Sequence, residues 1–172
     1  KGKIILNNIN IEDLTFPLEV YQSMGLKIKQ VSTSSYEFSC TNLKSIKNIK
    51  TKEVPGYPTD LQAQLIASLL KVGQKSNITE NIFENRFIHI PELRRFGAQL
   101  DIVGNTVVIN KTNDLFGAEV MATDIRASFS LIIAAIISKG TTTINRIYHL
   151  DRGYEDFDLK LKKCGVNIKR KK

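Results

Sequence analysis

The chain has 172 residues, 42% of them hydrophobic and 24% charged, which suits one compact domain with a sizeable core and excludes a disordered chain. Lys and Arg outnumber Asp and Glu by 25 to 17, a net charge of +8. Part of that excess is the terminal run KRKK at 169–172, and the rest, scattered through strands, reads as a solvated face compatible with an anionic substrate. The two cysteines, Cys40 and Cys164, lie far apart and outside any CxxC pattern, so neither a disulfide framework nor a zinc site is indicated, which suits a reducing compartment.

In chain order, the sequence opens on Lys1-Gly2-Lys3 with no Met and no legible signal peptide, already in the strand pattern KIILNN, which reads as a piece of a longer protein. A helix ending at Met24-Gly25 and the strands LKIKQVS and YEFSC follow. Next comes VPGYPTDLQAQ at 54–64, where Thr59-Asp60 opens a helix over 61–72 with Leu61, Leu65, Leu69 and Val72 on one face. A strand over 77–82, the polar turn FENR and a helix ending at Phe96-Gly97 come after it. Two strands, 100–103 and 106–109, are joined by the hairpin signal Gly104-Asn105.

Residues 123–170 repeat that order. Thr123-Asp124 opens a helix, then come the strand TTTINRI, the polar turn HLDR, a helix ending at Cys164-Gly165 and the strand VNIKR. The chain is therefore divided into a partial repeat at 1–50 that lacks its first helical half, a repeat at 51–115 and a repeat at 116–172. The apolar run 127–137 is far shorter than the roughly 20 residues a membrane span needs. Its stretch FSLIIAAII has almost no polar face and must be enclosed, the helix over 61–72 less completely, while LKIKQVS and VNIKR alternate and leave one face wet. Helices inside and half-exposed sheets outside describe an inside-out α/β barrel. The missing half repeat is expected to leave an apolar face uncovered.

Asp60 and Asp124 both stand at helix N-termini, where capping beside Thr59 or Thr123 is the default reading and anion chemistry the alternative. Each repeat then supplies an arginine after its strand, Arg86 and Arg152, suited to carboxylate or phosphate or else to a surface ion pair. His89 and His149 lie among apolar residues with no ligand partners at metal spacing, and read as packed or capping. Cys164 reads as core, Cys40 carries no nucleophile signal, and Tyr148 and Tyr154 read as packing.

The segments PGYPTDLQAQ, ITENIFENRFIHIPELRRFGA, GAEVMATDIRAS and TINRIYHLDRGYE together resemble the UDP-N-acetylglucosamine 1-carboxyvinyltransferase family, the enolpyruvyl transferases of peptidoglycan synthesis. The resemblance runs through nearly the whole chain, more thinly over 1–50, and corresponds to the family's C-terminal two fifths. It implies the inside-out fold of βαβαββ units, about two and a half of them here, with the active site between two domains. It implies transfer of the enolpyruvyl group of phosphoenolpyruvate to the 3-hydroxyl of UDP-N-acetylglucosamine through a tetrahedral intermediate, with no metal or organic cofactor, in the bacterial cytoplasm, and with no nucleic-acid or membrane partner.

Carried onto this chain, Asp60 is the expected general base, Ile82 a main-chain contact to the nucleotide sugar, and Asp124 with Arg126 a pair facing the reacting centre. Arg152 is the expected clamp on phosphoenolpyruvate, and Arg86 of FENRF is assigned the same kind of contact. The family's Lys-Asn pair, reactive cysteine loop and neighbouring arginine match nothing here, since neither cysteine sits in that motif. The isolated chain is thus expected to be inactive without its missing N-terminal domain. A shikimate-phosphate transferase of the same fold is the near alternative. A basic nucleic-acid-binding domain is the distant one, which scattered lysines and core-like aromatics favour little.

Overall fold

In a computed structural model that describes residues 2–171, the chain forms three separate sheets set around helices. The first repeat runs β1 (Gly2–Leu6), α1 (Thr15–Ser23), β2 (Lys27–Ser32) and β3 (Ser35–Cys40). Strand β4 (Asn48–Lys50), at the end of the stretch assigned to the first repeat, pairs with the second, which runs α2 (Gln62–Leu69), β5 (Ser76–Thr79), α3 (Ile90–Arg95), β6 (Leu100–Val103) and β7 (Thr106–Ile109). The third runs β8 (Glu119–Met121), α4 (Ile125–Ile137), β9 (Thr143–Asn145), α5 (Tyr148–Asp151) and α6 (Phe157–Lys163).

Topology repeats where sequence does. The antiparallel order β1-β3-β2 has its counterpart in β5-β7-β6, and the parallel pairs β4/β5 and β8/β9 each close a β-helix-β crossover, around α2 and α4 respectively. The hairpin β6–β7 falls where its Gly104-Asn105 turn put it, paired from Leu100–Ile109 to Val103–Thr106. Helix α3 stops at Phe96 because Gly97 takes φ +90°, a left-handed turn that a side chain would strain.

α2 and α4 pack on each other in the main core with Phe96, Ile90 and Ile109. Leu65 and Ile66 are fully buried there, and each contributes about 2 kcal/mol by the area of apolar surface removed from water. A smaller cluster joins Ile132 of α4 to Leu150 and Phe157.

Several expectations need correction. The inside-out α/β architecture itself is as expected, though among the described residues no ladder joins one sheet to the next. VNIKR forms no strand, because no neighbouring strand lies beside it among the described residues and Arg170 turns instead to Asp151 and Asp158. HLDR is the helix α5 with its C-cap rather than a bare turn, anchored by the buried Leu150. α2 is more enclosed than α4: seven of its eight residues are buried, whereas Ile136 of α4 is 45% exposed. Cys164 is exposed, since it caps the outer end of α6 rather than facing the core. On the first sheet Ile4, Ile5, Leu6 and Val31 are all exposed.

Candidate functional site

The two Thr-Asp helix starts fold differently. Asp124 takes an extended backbone and its Oδ1 accepts from the N–H groups of Arg126 at 2.7 Å and Ala127 at 2.8 Å, an N-cap that satisfies two donors otherwise left open by α4. Asp60 caps nothing. Its backbone lies in the 3-10 turn Thr59–Leu61 that leads into α2, and no side-chain cap bond is made at either helix start there. Its carboxylate points outward to two guanidiniums, accepting from Arg86 Nη2 at 3.0 Å on Oδ1 and from Arg126 Nη2 at 3.1 Å on Oδ2, with Arg126 Nε also on Oδ1.

A carboxylate has about four acceptor positions. Two carry hydrogen bonds here and Arg126 Nε crowds Oδ1 as an ion-pair contact, so a position on Oδ2 remains open on a side chain that is 52% exposed. The guanidinium of Arg86 is also held over the Phe83 ring, 5.1 Å from its centroid. Residues from three segments of the chain thereby meet at one point: 60 before α2, 86 after β5, and 126 in the first turn of α4.

Arg152 is exposed at the C-terminal end of α5 and has no bond to this cluster among the described residues. Its backbone is nevertheless brought to the first turn of α4, because a Cβ on Gly153 would lie 2.7 Å from Ile125 Cδ1. Tyr154 holds the same loop from the other side, stacked on Phe129 at 4.4 Å and accepting from Gln64 Nε2 at 3.2 Å. Arg152 faces an open cavity of about 700 Å³ shared with Asp151, Tyr154 and Arg170. Ile82 lines a second one of about 460 Å³, with Asn81 and the loop 51–56.

Two residues under the cluster are absent from the sequence reading of the site. His89 was legible as packed, yet its place is specific: it is 1% exposed, neither ring nitrogen has a partner among the described residues, and Asp124 and Arg86 are its charged neighbours. Burial pushes its pKa down to about 4, with Asp124 opposing and Arg86 assisting. Glu80, 3% exposed, was missed altogether; a buried acid ending a strand gave the only signal. It explains why β5 ends early, since its carboxylate takes the N–H groups of Ile82 and Phe83 out of the ladder. Among the described residues no group of three or more His, Cys, Asp or Glu could hold a metal.

The EPSP synthase (3-phosphoshikimate 1-carboxyvinyltransferase) family model matches residues 1–161. The chain belongs to this family. Curated relatives include the UDP-N-acetylglucosamine 1-carboxyvinyltransferases of Bartonella henselae, 47% identical over 98% of this chain, and of Pelagibacter ubique, 46% identical over 99%. The chain spans about 40% of the length of each. Among solved structures, the enolpyruvyl transferase NikO from Streptomyces tendae superposes with a TM-score of 0.84 at 23% identity, covering 98% of this chain and 40% of that one. EPSP synthase from Acinetobacter baumannii gives 0.74 at 16%, over 99% and 40%. The enolpyruvyl transferase fold follows from these likenesses. No helix among the described residues is long and apolar enough to cross a membrane.

Proposed function

We propose that this chain supplies one wall of the site in which an EPSP synthase family enzyme transfers the enolpyruvyl group of phosphoenolpyruvate to the 3-hydroxyl of UDP-N-acetylglucosamine, releasing phosphate. The observation that carries the reading is the Asp60 carboxylate, oriented by Arg86 and Arg126 with one acceptor position open. The names of relatives near 47% identity favour the amino-sugar acceptor over shikimate phosphate.

In this reading the sugar hydroxyl donates to the open position on Asp60 Oδ2, and its proton passes there as the oxygen attacks C2 of phosphoenolpyruvate. Addition with protonation at C3 gives the tetrahedral intermediate; loss of phosphate from C2 and of a proton from C3 restores the double bond. Arg126 and Arg152, with Arg86, supply positive charge for the phosphate and carboxylate groups, which an arginine fork matches in geometry. Asp124 fixes Arg126 by capping the turn that carries it. Ile82 meets the nucleotide sugar through its main chain. The remaining catalytic groups come from the rest of the enzyme, and the reaction places the protein in the bacterial cytoplasm, where it feeds cell-wall growth and with it cell shape and division.

The test is NMR titration of the chain with UDP-N-acetylglucosamine, for the wild type and Asp60→Ala. Saturable binding that Asp60→Ala weakens at least about tenfold is expected; equal affinity of the two would remove Asp60 from the site. With both substrates present, the isolated chain is expected to release no phosphate.

A further inference from the structure

Of the groups assigned to the sugar Asp60 is exposed and Ile82 half-buried, yet both hang from one buried acid. Glu80 Oε1 accepts from Thr51 Oγ1 at 2.7 Å and from the N–H groups of Ile82 at 2.8 Å and Phe83 at 3.3 Å. Its Oε2 accepts from Thr59 Oγ1 at 2.8 Å and, at the 3.5 Å limit, from Gln62 Nε2. Thr51 in turn accepts from the N–H of Asn81 at 2.8 Å, and Asn105 Nδ2 donates to the Glu80 carbonyl at 3.0 Å. Five donors from three segments of chain thus converge on a carboxylate almost wholly removed from water, where leaving any of them unmade is costly.

We propose that Glu80 is the positioning residue of this half of the cleft: through Thr59 and Gln62 it fixes the turn that aims Asp60, and through the 82–83 amides it fixes the main chain that lines the neighbouring cavity. The inference rests on the reading that Asp60 and Ile82 face the sugar. It also decides which atom Ile82 offers. The N–H of Ile82 is consumed by Glu80, whereas its carbonyl accepts no hydrogen bond among the described residues. Glu80 therefore presents an acceptor at that point, and the ligand atom it selects is a donor, an amide N–H or a hydroxyl.

Two variants of the chain separate the arms. Glu80→Gln keeps the shape but turns an amide group toward donors, so hydrogen exchange at Ile82 and Phe83 is expected to quicken about tenfold or more while the core amides of α2 and β7 hold, and affinity for UDP-N-acetylglucosamine to fall by about the same factor. Thr59→Val cuts only the arm to Asp60; it is expected to weaken binding several-fold with exchange at Ile82 and Phe83 unchanged. Unchanged exchange at Ile82 and Phe83 in Glu80→Gln overturns the proposal, as does loss of protection spread evenly over the core, and as does wild-type affinity in both variants. Failure of the underlying reading looks different: there the exchange changes appear as expected, but Asp60→Ala binds like the wild type.

Discussion

Acid should weaken this fold through His89, and the size of the effect follows from where the ring sits. In the unfolded chain a histidine titrates near 6.5; in the fold, burial first, with Arg86 assisting and Asp124 opposing, brings the value down to about 4. The native state therefore holds the ring neutral over a range in which the unfolded chain takes up a proton. Stability is intact above pH ~6.5, falls by up to about 1.4 kcal/mol per pH unit below it, and levels off near pH 4, for a total of about 3 kcal/mol. His89→Leu removes the titrating group while keeping an apolar side chain where neither ring nitrogen had a partner among the described residues. Urea denaturation of both proteins at pH 7.5 and 4.5 isolates the contribution, because all other titrations cancel in the difference. The two are expected within about 1 kcal/mol of each other at pH 7.5, and the variant is expected to gain about 2.5 kcal/mol on the wild type by pH 4.5. If the two lose stability in parallel, the buried ring is not held neutral, and the account of the space between Asp124 and Arg86 is wrong.

Asp60→Ala is expected to change unfolding free energy by less than about 1 kcal/mol, since its ion pairs are half exposed and screened, while abolishing most sugar binding; calorimetry and titration on one sample read both. Leu65→Ala, fully buried in the main core, is expected to cost about 3 kcal/mol in denaturant melts. Gly117→Ala would drive a Cβ into the Thr141 carbonyl oxygen, a backbone atom that cannot swing aside. It should destabilise by about 2 kcal/mol or more, read as a lower urea midpoint at unchanged slope.

Sequence pattern carries far where one residue decides a local shape, and fails where distant residues share the decision. The Gly104-Asn105 hairpin and the stop at Gly97 were legible because a turn or a helix end is settled by its own neighbours. VNIKR alternates as a strand should, but a strand exists only beside another, and alternation does not say whether one is there. The burial of α2 likewise depends on what α4 and the Glu80 network place around it. Asp60 and Asp124 make the point most sharply, as both occur in the string Thr-Asp followed by an aliphatic residue, at the start of a helix. Nothing local separates them. What separates them is that Glu80, twenty residues further on, takes the Thr59 hydroxyl and with it the turn, so that Asp60 is left to face Arg86 and Arg126 while Asp124 keeps the ordinary cap. One acid of the pair closes a helix and the other stands exposed between two guanidiniums, and the buried glutamate that holds Thr59 carries no motif of its own.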